Sequence, residues 1–419
     1  MIYLDHAATC PMRQQALTQM TEAMQSIYGN ASPSYPAAQQ ARARLDGART
    51  VLAETIGADW KEIFFTSGGT EADNWALIGA YEALRQLGSG EEKGHIITTQ
   101  IEHHAVLHTC EYLESRGVSV SYLPVDSRGF VQAEALEKEL ENHPDTFLVS
   151  VMLANNEIGT IEDIAALASV VRRAEAETGH RILFHTDAVQ AYGKLLIDVR
   201  ALDVDLLSVS AHKLGGPKGI GFLYIRKGTV LGSLMHGGGQ ESGRRAGTEN
   251  VPAAIGFAAA AKEACEHMQE EQETEGRLQR YFAKRLRELF ALDAAEHKDG
   301  EQIKTDAAAE TSANRLRAVW NGPFPGHGRL AGNVNISFPG FDQRTLLMNL
   351  DLAGICASGG SACTTGALEP SHVLMALAGD RRAAEGALRF TLGPENTEEE
   401  IDEALRILKE TMERIRSAS

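Results

Sequence analysis

Lys213 is the side chain whose setting points most directly to chemistry. It lies in SAHKLGGP, residues 210–217, directly after the apolar run VDLLSV of residues 204–209. A lysine amine at the end of a buried strand is poised to lose its proton, because burial disfavours the charged ammonium form. A neutral amine can act as a nucleophile and hold an aldehyde as a Schiff base. The alternative is an ordinary surface lysine that follows a strand.

Two further segments place anion-binding and acidic groups after apolar strands. In FTSGGTEADN, residues 65–74, glycines precede a helix start, where free amide groups favour a phosphate. In FHTDAVQ, residues 184–190, Asp187 follows a strand, at the end where α/β sheets bind ligands. Asp187 can keep a pyridine nitrogen protonated, which makes the ring an electron sink. A tight turn and a helix N-cap are the respective alternatives.

Histidine and asparagine side chains follow two more predicted strands. His103 and His104 come after the strand predicted at residues 95–99, and Asn156 comes after the one predicted at 146–153. An imidazole there can stack on a planar ring and carry protons, and an amide can hydrogen-bond a ring hydroxyl. A lone histidine is more often structural, but ring-compatible groups at five strand ends favour a bound planar cofactor.

Short runs of β-branched and aromatic residues alternate with helix-length amphipathic stretches, which predicts an α/β fold with a mostly parallel sheet flanked by helices. Helices are predicted at 41–56 and 164–178, each stopped by a glycine. Thr397 and Glu400 form a capping box ahead of a C-terminal helix with an apolar stripe. The seven predicted strands are residues 62–66, 95–99, 118–123, 146–153, 181–185, 206–210 and 221–225.

The pattern changes after residue 260, where a long polar helix and strand-like segments follow. We predict a large domain of residues 15–260 and a smaller α+β domain formed by residues 1–14 and 261–419. The polar, alanine-rich stretch 293–314 has few large apolar residues, so we expect a surface insertion there.

The composition excludes several classes of function. The chain has 419 residues, a formal charge of −17 and a hydrophobic fraction of 43%. The acidic balance argues against a nucleic-acid partner, since such binding requires clustered lysine and arginine. No apolar run approaches the about 20 residues that span a bilayer, and no secretory signal is visible, so we expect a cytoplasmic protein without membrane contact. The five cysteines are scattered without C-x-x-C spacing, which predicts neither a disulfide framework nor a zinc site.

Taken together, the segments resemble the pyridoxal-phosphate-dependent cysteine desulfurases of the IscS and NifS type. The resemblance implies the type I fold of these enzymes, pyridoxal 5′-phosphate as cofactor, and conversion of L-cysteine to L-alanine. An aminotransferase or selenocysteine lyase on the same fold, and a non-catalytic sulfur-carrier scaffold, are the alternatives. The matching segments, in the family's order, are YLDHAAT, FTSGGTEADN, EHHAV, NNEIGT, HTDAVQ, SAHKLGGPKGIG, RRAGTEN, NVNISFPG, SGGSACTTGALEPSHVL and LRFTLGPENT.

The resemblance also assigns roles to individual residues. Lys213 is similar to the lysine that holds the cofactor, His104 to the residue that stacks on its ring and carries protons, and Asp187 to the partner of the pyridine nitrogen. Arg389 is similar to the arginine that binds the substrate carboxylate, with Asn156 beside it. The other cofactor-binding matches are Gly69, Thr70, Ser210 and His212 for the phosphate, Asn156 and Gln190 for the ring's phenolic oxygen, and Thr248 for the phosphate of the other subunit in a homodimer.

Cys363 is the predicted catalytic thiol. It lies in SGGSACTTG, residues 358–366, where small residues on both sides predict a loop that leaves the thiol accessible. The resemblance implies that Cys363 receives the sulfur as a persulfide and passes it to an iron-sulfur scaffold or a tRNA-thiolation enzyme. It also makes Cys363 a candidate transient iron-sulfur ligand, and no firm metal site is predicted. Cys356 fits a packed core position better.

The chain departs from the family pattern in NASPSYPAA, residues 30–38. The family usually has N-P-S-S-x-H-x-x-G at this place. Loss of the histidine and the glycine bears on the local backbone, on substrate entry and on the turnover rate.

Overall fold

The computed structural model describes residues 1–32, 34–87, 94–294, 315–359, 370–378 and 384–418. None of the helices that these residues form is both long and apolar enough to cross a bilayer. The strands are β1 (Ile2–Tyr3), β2 (Ile63–Thr66), β3 (His95–Thr99), β4 (Ser119–Leu123), β5 (Thr146–Ser150), β6 (Leu183–Asp187), β7 (Leu206–Ser210), β8 (Gly221–Ile225), β9 (Ala291–Ala294), β10 (Arg317–Trp320), β11 (Asn333–Ser337), β12 (Ile355–Cys356) and β13 (Leu388–Thr391). The α-helices are α1 (Gln14–Ser26), α2 (Pro36–Glu54), α3 (Gly69–Leu87), α4 (His104–Glu114), α5 (Ala133–Asn142), α6 (Ile164–Thr178), α7 (Val251–Leu289), α8 (Gln343–Leu352), α9 (His372–Ala378) and α10 (Glu398–Ala418).

A seven-stranded sheet organises the first two thirds of the chain. Its strand order is β2-β8-β7-β6-β5-β3-β4, in which β8 is antiparallel to both neighbours and the other neighbouring pairs are parallel. This arrangement confirms the predicted α/β fold with a mostly parallel sheet. Strands β3, β7 and β8 have the predicted bounds. Strand β6 begins two residues later than predicted. Arg181 lies before the strand, where its side chain forms ion pairs with Glu175 and Asp205.

The large sheet is buried on both faces because its central strands are apolar along most of their length. Successive side chains of a strand point to opposite faces, so neighbours in sequence join different cores. Ile97 and Val149 pack into a core with α1, α2, α6 and α7, whereas Ile96 and Leu148 pack into a core with α3 and α4. Helix α2 begins earlier than the predicted residue 41, because a proline is well suited to the first helical turn.

A second, four-stranded sheet with the order β13-β11-β10-β9 has a core of its own. Phe282 of α7, Leu346 of α8 and Leu405 of α10 pack into this core. The predicted capping box is confirmed at the start of α10. The backbone N–H of Thr397 donates to the Glu400 carboxylate at 3.2 Å, and the N–H of Glu400 donates to the Thr397 hydroxyl at 3.3 Å.

Helix α7 contributes its first part to the core of the large sheet and its last part to the core of the small one. The domain boundary predicted at residue 260 falls within this helix and stays a prediction. The insertion predicted at 293–314 begins too early, because Asp293 and Ala294 belong to β9, which pairs in parallel with β10. Residues 295–314 lie outside the described residues.

The parallel arrangement brings the carboxyl ends of β3, β5, β6 and β7 to one edge of the large sheet. The segments that follow these strands carry most of the predicted site residues. They therefore meet at the edge where open α/β sheets bind ligands.

Candidate active site

A cavity of about 320 Å³ lies at the carboxyl end of the large sheet. Thr248 is exposed and does not line it, and Cys363 lies outside the described residues. The structure therefore brings together the predicted site apart from these two positions. The predicted residues that line the cavity are Gly69, Thr70, His104, Asn156, Asp187, Gln190, Ser210, His212, Lys213 and Arg389.

Lys213 lies in the 3₁₀ turn that follows β7. Its Nζ donates hydrogen bonds to the backbone oxygens of Ala7 at 2.6 Å and Ala8 at 2.9 Å. Burial, with the positive charges of Arg389 and Lys194 nearby, lowers the pKa of Lys213 to about 8. A substantial fraction of this amine is therefore neutral at mildly alkaline pH, as a nucleophile or base requires.

Asp187 is the last residue of β6 and is 5% exposed. Its Oδ1 accepts a hydrogen bond of 2.8 Å from the backbone N–H of Val189. Burial raises the pKa of Asp187 to about 6, against the opposing effects of this hydrogen bond and of the Lys213 charge. At neutral pH the carboxylate can therefore serve as the counter-charge to a protonated ring nitrogen.

A series of buried polar groups that the sequence reasoning missed lies beside Asp187. The ring nitrogens of His185 contact the hydroxyls of Ser150 at 2.8 Å and Ser208 at 2.9 Å, and Nε2 is 3.6 Å from Asp73 Oδ1. That oxygen has no hydrogen-bond partner among the described residues. Burial and the charge of Asp187 raise the pKa of Asp73 well above its usual range. The one sequence signal for Asp73 is its position a helical turn after Gly69.

His104 begins α4, and two other imidazoles lie close to its ring. The ring centroids of His108 and His372 are each 4.7 Å from that of His104. The Nδ1 atom of His104 is buried without a hydrogen-bond partner among the described residues. Burial and the two neighbouring imidazoles lower the pKa of His104, so the ring is neutral at neutral pH. The sequence reasoning missed His372, although it lies in a matching segment.

The start of α3 forms a cradle beside the end of β7. A Cβ atom at Gly69 would lie 2.6 Å from a methyl carbon of Val189, so a larger side chain does not fit there. Ser210, which is 4% exposed, and His212 line the same cavity. Burial and the Lys213 charge lower the pKa of His212 to about 4. Free amide groups at a helix start, with a hydroxyl opposite, suit a phosphate group.

Arg389 reaches the cavity from β13 of the small sheet and is 2% exposed. Its guanidinium donates to Asp5 Oδ1 at 2.9 Å and to the backbone oxygen of Asn156 at 2.9 Å. Its Nε has no hydrogen-bond partner among the described residues. The two contacts fix the plane of the guanidinium and leave a donor for a ligand. Asp5 was not predicted, since it lies 384 positions away and no local spacing signals such a pair.

Comparison with known proteins identifies the family to which this chain belongs. The chain matches the aminotransferase class-V family over residues 2–307 and 301–404. It is 41% identical to the cysteine desulfurase IscS of Clostridium botulinum, over 100% of this chain and 96% of that protein. The chain belongs to the class-V aminotransferase family. Class-V aminotransferases and cysteine desulfurases depend in general on pyridoxal phosphate.

Solved structures agree with this class-V membership. A NifS-like protein superposes with a TM-score of 0.84 at 37% identity, over 98% of this chain and 99% of its own. SspA, solved in complex with cysteine, superposes with a TM-score of 0.75 at 32% identity, over 95% of this chain and 100% of its own. The predicted relationship to the IscS and NifS cysteine desulfurases, the predicted fold and the assignment as an enzyme of that group are confirmed.

Proposed function

We propose that this member of the class-V aminotransferase family removes the sulfur atom of L-cysteine and releases L-alanine. The cavity is the observation that carries the proposal, because it brings Lys213, Asp187 and Arg389 together. The Lys213 amine, with its lowered pKa, can activate an amino-acid substrate. The buried acid Asp187 can balance a positive charge, and the guanidinium of Arg389 has a donor left to orient the substrate. The relative SspA in complex with cysteine supports cysteine as the substrate here.

The cavity fits pyridoxal 5′-phosphate as the cofactor. Gly69 leaves room for a group at the helix start, and the unpartnered Nδ1 of His104 has no use within the described protein. When bound, the cofactor supplies an electron sink for the charge that develops as the α-proton of the substrate leaves. The residues that would hold it are Gly69, Thr70, Ser210 and His212 at the phosphate, Asp187 at the pyridine nitrogen, His104 at the ring face, and Asn156 and Gln190 at the ring oxygen.

Lys213 both holds the cofactor and moves the α-proton of the substrate in this proposal. Its Nζ is tied only to the backbone oxygens of Ala7 and Ala8 among the described residues, so no carboxylate fixes the ammonium form. Once released by the incoming substrate amine, the neutral Nζ accepts the α-proton. Its pKa of about 8 makes this step faster as the pH rises towards that value.

Arg389 binds the substrate carboxylate and so fixes which bond of the substrate faces Lys213. A guanidinium pairs with a carboxylate through two parallel N–H donors, which sets orientation as well as affinity. Asp5 and the backbone oxygen of Asn156 each accept one hydrogen bond from the guanidinium and so fix its orientation. Asp5 is therefore a positioning residue, which acts through Arg389.

Cys363 accepts the sulfur in this proposal, on the evidence of the sequence around it. Its thiolate bonds to the substrate sulfur while the carbon–sulfur bond breaks, and the electron pair of that bond stays with the substrate carbon. That carbon takes up a proton, Lys213 returns a proton to the α-carbon, and the product leaves as L-alanine. His104 is the proposed proton carrier, since its neutral imidazole lines the cavity. The outer sulfur of the Cys363 persulfide then passes to an acceptor.

We further propose a homodimer in which each subunit completes the cavity of the other. Thr248 is exposed and does not line the cavity of its own chain, which supports a contact with the phosphate in the other subunit. The proposed sulfur acceptors are an iron-sulfur scaffold protein or a tRNA-thiolation enzyme, with Cys363 as a transient iron-sulfur ligand in the first case. The proposed setting is the cytoplasm, without direct contact to nucleic acid or membrane.

The products formed from L-cysteine test the proposal. Purified full-length protein with its cofactor is incubated with L-cysteine and a thiol reductant, and sulfide and L-alanine are measured together. We expect them in equal amounts, and without reductant we expect one added sulfur atom on the peptide that contains Cys363. We expect Cys363→Ala to abolish both results, and Cys265→Ala, which removes a thiol in the middle of α7, to retain them.

Two outcomes would contradict parts of this account. Sulfide release by Cys363→Ala at the parent rate would remove the thiol from the mechanism. Formation of an oxo acid in place of L-alanine would favour an aminotransferase on the same fold.

A further inference from the structure

Two histidines and a glutamate form a second cluster, at the opposite end of the large sheet from the cavity. His95 is the first residue of β3, Glu139 lies in the last turn of α5, and His143 directly follows that helix. One ligand atom from each side chain lies within 4.8 Å of the other two. The proposed desulfurase chemistry uses none of these residues.

The cluster is closed towards the sheet and open towards solvent. His95 is 1% exposed, whereas the side chains of Glu139 and His143 are 25% and 38% exposed. Glu139 Oε1 lies 3.3 Å from His143 Nε2. The two imidazole rings are stacked, with 3.9 Å between their centroids and 12° between their planes. An ion can therefore reach the cluster without an opening of the core.

The hydrogen bonds around His95 leave its Nε2 atom with a lone pair. The Thr146 hydroxyl donates to the backbone oxygen of His143 at 2.7 Å, so the hydroxyl must accept from Nδ1 of His95, 2.8 Å away. Nδ1 of His95 therefore carries a proton, and in the neutral imidazole tautomer with this proton Nε2 has none. This network thereby assigns the tautomer, and Nε2 is an acceptor.

A single hydroxyl hydrogen lies between two acceptors of the cluster. The Ser121 hydroxyl lies 2.9 Å from Nε2 of His95 and also contacts Glu139 Oε1. Ser121 has a single hydrogen to donate. If it donates to Glu139, the lone pair of His95 Nε2 faces the Ser121 oxygen with no hydrogen between them, and if it donates to His95, the Glu139 oxygen does. A positive ion between the two groups would remove this conflict.

We propose that His95, Glu139 and His143 bind a divalent metal ion of the zinc class, with water in the remaining positions. Two imidazoles and one carboxylate are a donor set that zinc accepts. Calcium and magnesium favour an all-oxygen set, which this cluster does not offer. Asp145 adds a further negative charge near His95, which favours a cation.

Binding requires one ring to move. A metal ion lies close to the plane of each imidazole that binds it, so two rings stacked in parallel cannot both direct a lone pair at one ion. His95 is held by Thr146 and Ser121, whereas His143 is partly exposed at a helix end. His143 therefore turns out of the stack when the ion binds, and the ion then ties the end of α5 to the start of β3.

The location predicts an effect on stability and none on turnover. The cluster lies at the amino ends of the strands, and the cavity lies at their carboxyl ends. A ligand that binds only the folded protein shifts the unfolding equilibrium in its favour. Zinc should therefore raise the melting temperature through this cluster without changing kcat.

The test counts bound zinc in the full-length protein with its cofactor and with Cys363→Ala, so that the predicted catalytic thiol takes up no metal. Equilibrium dialysis against Zn²⁺ gives the number of ions and their Kd, and thermal unfolding with and without Zn²⁺ gives the shift in Tm. We expect Glu139→Gln and His143→Asn each to weaken one zinc site by at least about tenfold and to lose its Tm shift.

The matched control is His267→Asn on α7. His267 also contacts a glutamate, Glu270, at 3.5 Å, but no second histidine accompanies this pair in the described clusters. We expect zinc binding of this variant to equal that of the parent. Equal zinc affinity in Glu139→Gln, His143→Asn and His267→Asn would overturn the proposal.

Ser121→Ala provides a second and independent variant, which retains all three ligands. Because the Ser121 hydroxyl is not a proposed ligand, we expect this variant to bind zinc at least as tightly as the parent. A loss of zinc affinity in Ser121→Ala would contradict the assignment of the ligands. The zinc affinity of Ser121→Ala can be measured even if a change at Glu139 or His143 impairs folding.

Discussion

The two ends of the large sheet treat their buried polar groups in opposite ways. At the amino end, Arg172 pairs with Glu175 at 2.7 Å and with Asp205 at 2.8 Å, and the Thr146 hydroxyl joins Nδ1 of His95 to the backbone oxygen of His143. At the carboxyl end, several buried atoms, most of them on side chains that line the cavity, lack a hydrogen-bond partner within the part of the chain that the structure describes. These atoms are Asp73 Oδ1, His104 Nδ1, Thr186 Oγ1 and Arg389 Nε.

This difference separates groups that stabilise the fold from groups that wait for a ligand. A buried polar atom without a partner costs about 1–3 kcal/mol, so a protein under selection for stability alone would not collect several around one cavity. The same end of the sheet holds Lys213, whose pKa is lowered to about 8, and Asp187, whose pKa is raised to about 6. Shifts of both signs in one cavity are typical of a catalytic site.

Loss of Lys213 gives the largest expected effect at the carboxyl end. We expect Lys213→Ala to lower kcat/KM for L-cysteine by at least about 10³-fold, because no other described side chain offers a neutral amine to the cavity. The variant should also lose the visible absorption of a cofactor held on this lysine. Steady-state kinetics and an absorption spectrum of the purified variant measure both effects.

Lys218→Ala is the matched control, since Lys218 is an exposed lysine in the same glycine-rich segment. We expect its absorption spectrum to equal that of the parent. Retained absorption in Lys213→Ala would show that another residue holds the cofactor.

One threonine-to-valine change at each end of the large sheet replaces a buried hydroxyl by a methyl group. We expect these two changes to have smaller effects than Lys213→Ala. Thr146 is fully buried at the amino end, and its hydroxyl joins His143 to His95. We expect Thr146→Val to lower the free energy of unfolding by about 1–3 kcal/mol, because it leaves the buried Nδ1 donor of His95 without a partner. Urea unfolding of the variant and the parent measures the difference, and kcat should not change.

Thr186→Val is the counterpart at the carboxyl end. Thr186 is also fully buried, but its hydroxyl has no partner among the described residues. Replacement of that hydroxyl by a methyl group should therefore be neutral or slightly stabilising. Equal destabilisation by the two changes would contradict the distinction between the two ends.

The sequence predicts the sheet well because its strands are apolar runs bounded by turn residues. Strands β3, β7 and β8 and helix α6 have the predicted bounds. Two of the errors fall where side-chain pairing decides the boundary, as at Arg181, or where a short strand pairs late in the chain, as at Asp293. Neither type of contact leaves a periodic pattern in the sequence.

The cavity could be predicted because parallel topology gathers the segments that follow successive strands. Lys213 and His104 follow strands of the large sheet, Asp187 ends one, and all three line one cavity. The support of Arg389 by Asp5 could not be predicted, because it joins opposite ends of the chain. The zinc-class cluster was likewise not predicted, because its ligands come from β3 and from the end of α5 without a metal-binding spacing.

The pKa of Lys213 tests the account most directly, since the account requires a neutral amine in the cavity at working pH. Competitive labelling of amines across a pH series, read by mass spectrometry on the cofactor-free protein, gives this pKa residue by residue. We predict a midpoint of about 8 for Lys213, with the reactive neutral fraction rising as the pH rises through that value. A midpoint at the ordinary lysine value of 10.5 would contradict the account.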